Sequence, residues 1–148
     1  TGDLNRLVSA GHKPASLQFQ YNLVNRKAER SVIPYCERHD IRFLAYSPLA
    51  RGLLAGSVHE KWDGDDDRRF WKAGRVANIH ARLAKLQPVA RELDVSPVSL
   101  LLAWTGAVKG VGGVLVGCRT RRHAAEMCKA ASLDIPEHVQ QRISELFC

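Results

Sequence analysis

What the sequence lacks narrows it first. Its four cysteines, Cys36, Cys118, Cys128 and Cys148, form no C-x-x-C pair and fall in no histidine-rich metal spacing. That excludes the zinc modules and a disulfide framework, so no metal is expected, and the thiols are expected to be reduced and mostly buried, as in a cytoplasmic protein. No secretory leader pattern is visible. A spanning helix needs about 20 apolar residues, and the best run, VSLLLAWTGAVKGVGGVLVG, is cut by Lys109 and by Gly110, Gly112 and Gly113. It reads better as a helix followed by a short buried strand. Aromatic residues make up 7% of the chain and do not interleave with basic ones, so the net charge of +7 carries no nucleic-acid signature. Neither nucleic acid nor a membrane is expected as partner; a phosphate-bearing small molecule suits the charge better. No repeat and no linker composition interrupts residues 1–148, which are expected to form one unit.

What is present has the composition of a globular protein, with 45% hydrophobic and 25% charged residues. Leu4, Leu7 and Val8 share a helical face that Gly11 ends. ASLQFQYNL (15–23) alternates as a strand, with Leu17, Phe19 and Tyr21 on one side and Gln18 and Gln20 on the other. ERSVIPYCERHD (29–40) reads as a helix with Pro34 in its first turn, and IRFLAY (41–46) as a second strand. Residues 57–75, charged and carrying three aromatics, read as a long ordered loop with a function. From Val76 to Leu93 apolar residues recur at threes and fours, predicting one helix kinked at Pro88. Ser96 and Pro97 open the next helix as N-cap and first residue. VGGVLVG (111–117) is a third strand, Thr120 caps RRHAAEMCKAAS, and PEHVQQRISELF is a last helix with Val139, Ile143 and Leu146 inward. Strand and helix alternate, which predicts a parallel α/β sheet with right-handed crossovers.

In such folds ligands sit beyond the carboxyl ends of the strands. Here those ends carry Gln20, Tyr21 and Asn22; Tyr46, Ser47 and Pro48; and Gly117, Arg119 and Thr120. An aromatic plane, amides, arginines and a helix N-terminus suit a flat ring and a phosphate. Arg119, Arg121 and Arg122 sit against the dipole of the helix they open, which favours an anion there.

Four stretches in order, LQFQYNLVNR, IPYCERHDIRFLAYSPLARGLLAG, DDDRRF and VGCRTRRHAAE, resemble the second half of the aldo-keto reductases. The closer likeness is to the branch that includes potassium-channel β subunits and many bacterial oxidoreductases. The resemblance implies the C-terminal part, about strands 6–8 and their helices, of a (β/α)8 TIM barrel. It also implies NADP(H), with hydride passing to a carbonyl while a tyrosine donates the proton. By resemblance Gln18 holds the nicotinamide carboxamide and Tyr46 stacks on its ring. Ser47, Leu49, Arg51 and Gly52 fall in the loop that wraps the pyrophosphate, where small residues let backbone approach closely. Arg68, or Arg69 in its stead, matches an arginine of the loop over the cofactor. Gly117, Arg119 and Thr120 occupy the adenosine-phosphate motif. Glu126 is kept, but His123 and Met127 stand where glutamine and asparagine are common, which leaves adenine recognition open.

The family's catalytic aspartate, tyrosine, lysine and histidine belong to the first half of the barrel, and their motifs are absent from this chain. The expectation is therefore the cofactor-binding half of an NADP-dependent carbonyl reductase, inactive by itself, with NADP preferred to NAD. The chain opens on Thr1 rather than methionine, which suits a piece of a longer reductase. The alternative is a non-enzymatic half barrel that binds nucleotide or a partner, self-associating or completed by another chain.

Overall fold

The computed structural model describes residues 2–56 and 73–147. Three parallel strands lie in chain order: β1 (Ser16–Gln20), β2 (Arg42–Tyr46) and β3 (Val111–Leu115). Leu17 pairs with Phe43 and Gln20 with Tyr46; Tyr46 in turn pairs with Leu115. Gly112 is bulged where the register shifts between Phe43 and Leu44, and a Cβ there would meet the Cγ of Arg42 at 2.5 Å. The alternation along β2 divides the sheet, since Phe43 and Ala45 are buried while Arg42 and Tyr46 are exposed. Tyr46 and its partner Leu115 are 44% and 39% exposed, so that face is open among the described residues.

Helix α1 (Gly2–Ser9) precedes β1, and α2 (Val32–Arg38) links β1 to β2 behind a 3-10 turn at Lys27–Arg30. Pro34 is the third residue of α2, where no N–H is needed. After β2 a 3-10 turn spans Ala50–Ala55, followed by α3 (Ala73–Ala84), α4 (Leu86–Glu92) and α5 (Pro97–Ala107). Beyond β3 come α6 (Arg121–Ser132) and α7 (Glu137–Glu145). The expected loop over residues 57–75 lies mostly outside the described residues, and helix already begins at Ala73. The expected single helix kinked at Pro88 is instead two helices broken at Lys85. Proline's ring collides with the carbonyl four residues back; that carbonyl belongs to Ala84, where α3 stops. Pro88 then lies in the first turn of α4, where it is tolerated.

Caps fix the other ends. Ser96 Oγ accepts the Ser99 N–H at 3.0 Å, and Pro97 is the first residue of α5. The carboxyl ends of α2 and α4 close on Asp40 (φ 51) and Asp94 (φ 51) in left-handed geometry, the place glycine usually fills. Ile41 N–H reaches Cys36 O at 2.9 Å and Val95 N–H reaches Ala90 O at 3.0 Å to complete both turns. Helix α5 is buried continuously from Ser99 to Thr105, as a helix walled by neighbours should be. The tempting apolar run thus resolves into α5 and β3, and among the described residues no helix is long and apolar enough to cross a membrane. Cys36 is buried, but Cys118 and Cys128 are exposed, correcting the expectation of mostly buried thiols. Cys118 sits in the turn after β3 and Cys128 on an exposed position of α6.

Candidate functional site

The stretch after β2 takes an unusual path. Ser47, Ala50, Arg51 and Gly52 all have positive φ, at 54, 49, 56 and 93°. Left-handed backbone costs a residue with a Cβ roughly 1–2 kcal/mol, and here three such residues fall within five positions. The turn is held by Ala50 N–H to Ser47 O and Gly52 N–H to Leu49 O, both 3.0 Å, and by Leu54 N–H to Leu49 O at 3.1 Å. Pro48 takes the second place of the Ser47–Ala50 turn, where its fixed φ fits. Such strain persists when the surroundings over-determine it, and it clusters at ligand sites.

Facing this turn is the segment after β3. Together they enclose a cleft of about 610 Å³. Ser47, Pro48, Leu49, Arg51 and Gly52 line one wall; Leu115, Val116, Gly117, Cys118, Arg119 and His123 line the other. An arginine therefore comes from each side. Thr120 is committed elsewhere, its Oγ accepting the His123 N–H at 3.2 Å as N-cap of α6. That bond orients the first turn of α6, whose dipole favours an anion. Gln18 and Tyr46 lie on the open sheet face rather than in the cleft walls; Tyr46 directly precedes Ser47 and pairs with Leu115, both of which line the cleft. Glu126 is not brought to this cleft. It lines a second one of about 400 Å³ with Arg91, Asp94, Arg122 and Lys129. Arg68 and Arg69 lie outside the described residues. No group of three His, Cys, Asp or Glu side chains among the described residues could hold a metal ion.

Tyr21, counted among the strand-end candidates, belongs to the core. It is fully buried, stacks on Trp104 (centroids 6.1 Å apart, planes at 16°) and meets Phe43 edge-on. Its hydroxyl donates to Glu29, which also accepts from Arg26 Nε at 2.7 Å and Nη2 at 3.0 Å. Burial, then the bond to Glu29, push the Tyr21 hydroxyl far above its ordinary range. Burial alone would raise Glu29, but the bonds from Arg26 and Tyr21 and the Arg26 charge outweigh it and hold the carboxyl below its usual value. Asn22, also fully buried, donates from Nδ2 to Ser47 O at 2.9 Å. Sequence reasoning placed Asn22 at a strand end without this bond, and it missed Leu115, Val116 and Cys118 as cleft residues. Their adjacency to Gly117 was the available signal.

Comparison with known proteins now decides the family, because the family model described as "Aldo/keto reductase family" matches residues 3–147. The chain belongs to the aldo/keto reductases. Aldo-keto reductase YhdN of Bacillus subtilis is 44% identical over 124 residues, covering 79% of this chain and 36% of that protein. A probable voltage-gated potassium channel subunit beta of Arabidopsis thaliana is 28% identical over 140 residues, 89% of this chain and 42% of its own. The sequence-based resemblance to this family, and to its channel-subunit and bacterial branches, is thus met. Among solved structures, glycerol dehydrogenase AKR11B4 from Gluconobacter oxydans superposes with a TM-score of 0.80 at 22% identity, over 93% of this chain and 43% of that one. That likeness shows the fold, an α/β unit on a parallel sheet. The chain spans between 30% and 42% of the length of the curated relatives it matches.

Proposed function

We propose that this chain is the cofactor-binding part of a cytoplasmic NADP-dependent aldo-keto reductase that reduces carbonyl compounds to alcohols. Its three strands correspond to about the sixth, seventh and eighth of the (β/α)8 barrel. The observation that carries the reading is the cleft between the strained turn after β2 and the β3–α6 segment, with Arg51 and Arg119 on opposite walls. The residues fit an elongated, phosphorylated dinucleotide. Small residues and left-handed backbone at Ala50 to Gly52 allow close approach to a pyrophosphate, and Arg51 and the capped α6 terminus supply positive potential. Tyr46 offers an exposed ring face beside the cleft for a nicotinamide, with the Gln18 amide on the same sheet face. Arg119, on the cleft wall, or else Arg121 or Arg122, suits a 2′-phosphate and hence NADP over NAD, with His123 at the adenosine end; Thr120 acts as cap, and Glu126 is assigned to the adenine on resemblance. Bound NADPH supplies the hydride. The protein's own task in this chain is to hold the nicotinamide against Tyr46 and to exclude competing orientations. The proton-donating tyrosine of the family and its partners are outside this sequence, so the chain alone is proposed to be inactive.

Calorimetric titration tests this. NADP+ should bind at least tenfold more tightly than NAD+, and Arg119→Ala should erase most of that difference; Arg51→Ala should weaken both. Each lost charge-assisted hydrogen bond is worth roughly 1.5–3 kcal/mol, or about ten- to hundredfold. A protein that binds neither dinucleotide sinks the reading. The sheet itself favours a second one, a partner-binding half barrel. β1 and β3 are open edges, and Tyr46, Leu115 and Phe19 are exposed, which invites self-association or a completing chain. Native protein with an intact mass more than twice that of this chain supports the reductase; a monodisperse monomer of this chain counts against self-association.

A further inference from the structure

We propose that Asn22 is the positioning residue of the phosphate turn, locking its entry at Ser47 from the neighbouring strand end. The inference rests on the cofactor reading of the cleft and names the part that pre-forms it. Asn22 is fully buried and its amide is used at both ends. Oδ1 accepts the Val24 N–H at 3.2 Å, while Nδ2 donates to Ser47 O at 2.9 Å. Its backbone is fixed as well, pairing with Asn25 through Asn22 N–H to Asn25 O at 3.3 Å and Asn25 N–H to Asn22 O at 3.0 Å. The amide therefore cannot swing away to another partner without breaking a local turn.

The acceptor at Ser47 sits at a decisive point. The same carbonyl closes the Ser47–Ala50 turn by accepting the Ala50 N–H, and Ser47 itself is held at φ 54°. Everything after it, up to Gly52, inherits its orientation from this peptide plane. Hydrogen bonds within the turn set its internal shape; the bond from Asn22 fixes that shape to the sheet. Arginine side chains can adapt to a ligand, but backbone N–H groups must already point the right way, and pre-organisation is what keeps their binding cost low. A buried amide is suited to this task because its loss leaves a carbonyl short of a partner and frees the turn to relax from left-handed geometry.

The test compares Asn22→Ala and Asn22→Ser with the unaltered protein, in the form its source makes. Two ligands are used: NADP+, which spans the turn, and adenosine 2′-monophosphate, which needs the β3–α6 side and not the turn. Both variants should bind NADP+ roughly tenfold more weakly, the equivalent of one lost hydrogen bond, and adenosine 2′-monophosphate within twofold of the unaltered protein. Retained binding of the small ligand also shows that the variant is folded. In the unliganded protein, amide exchange at Ala50 and Gly52 should accelerate at least tenfold in the variants. Equal losses for both ligands would make Asn22 a general structural residue and overturn the proposal, as would unchanged NADP+ binding with unchanged exchange. If the unaltered protein binds no NADP+, the cofactor reading falls and this inference with it. If it binds and the variants bind as well, the failure is that of Asn22 alone.

Discussion

Replacing Tyr21 with phenylalanine isolates one hydroxyl in the best-defined polar cluster of the core. The ring stays, so its stacking on Trp104 and its edge contact with Phe43 are retained and no cavity opens. What disappears is the O–H donated to Glu29. A hydrogen bond to a charged group contributes roughly 1.5–3 kcal/mol. Glu29 keeps both bonds from Arg26, and its side chain is 31% exposed, so water can take the vacated position. The low end applies, and Tyr21→Phe should cost about 1.5 kcal/mol at pH 7. The pH dependence gives a second signature. Glu29 is held below its ordinary value, so its contribution is present above the unfolded glutamate pKa and is lost as pH falls through the lower folded value. The cost of Tyr21→Phe should shrink over that acidic window, because the variant has less to lose there. Tyr21 itself is raised; its protonated form stabilises the fold below the ordinary tyrosine value of about 10, and that contribution fades as pH rises beyond it. The variant should lack this alkaline loss. Urea unfolding followed by far-UV circular dichroism from pH 3 to 11 measures all three effects. A cost under about 0.5 kcal/mol at pH 7, or one that is flat between pH 3 and 7, would refute the reasoning.

Other substitutions probe the backbone. Asp94→Gly, at φ 51° beyond α4, should raise stability by up to about 1 kcal/mol, since glycine takes that geometry without the Cβ penalty; a fall in the urea midpoint would contradict it. Gly110→Ala should cost at least about 2 kcal/mol. Its φ is +86°, and the added Cβ would stand 2.5 Å from Ile33 Cγ2; a melting temperature within a degree of the parent's would show that the turn can yield. Thr120→Ala removes the N-cap of α6 and should cost about 1 kcal/mol, with faster amide exchange confined to the first turn of that helix. Uniform change along α6 would argue against a capping role.

Legibility in the sequence followed the range of the physics. Ser96 with Pro97 and Thr120 were readable because capping is settled within three residues. The strands were readable because period-two burial is local, as in Phe43 and Ala45 against Arg42 and Tyr46. The break at Lys85 was misplaced because the clash that causes it acts four residues before the proline that announces it. The closures at Asp40 and Asp94 carried no glycine to flag them. Cys118 and Cys128 were misjudged because composition cannot say which side of an edge turn or a helix faces outward. Tyr21 and Tyr46 are the sharpest pair: one directly follows β1 and the other ends β2, yet Tyr21 enters the core against Trp104 and Tyr46 stands on the open face.

The long-range bonds explain that split and the site together. Gln20 pairs with Tyr46, so the chain leaving β1 runs beside the chain leaving β2, and Tyr21 N–H still reaches Tyr46 O at 3.3 Å. One residue further on, the strands stop pairing through backbone and pair through a side chain, Asn22 to Ser47. At that point Tyr21 turns inward to Glu29 and Trp104 and anchors β1 in the core. Asn22 then transfers that rigidity to the turn after β2. A strained loop needs such an anchor, because three left-handed residues together forfeit roughly 3–6 kcal/mol that neighbouring structure must offset. The cleft's shape is therefore set from Asn22, 25 residues upstream of the Ser47 carbonyl where the turn begins, in a strand end whose sequence shows only an ordinary tyrosine and asparagine.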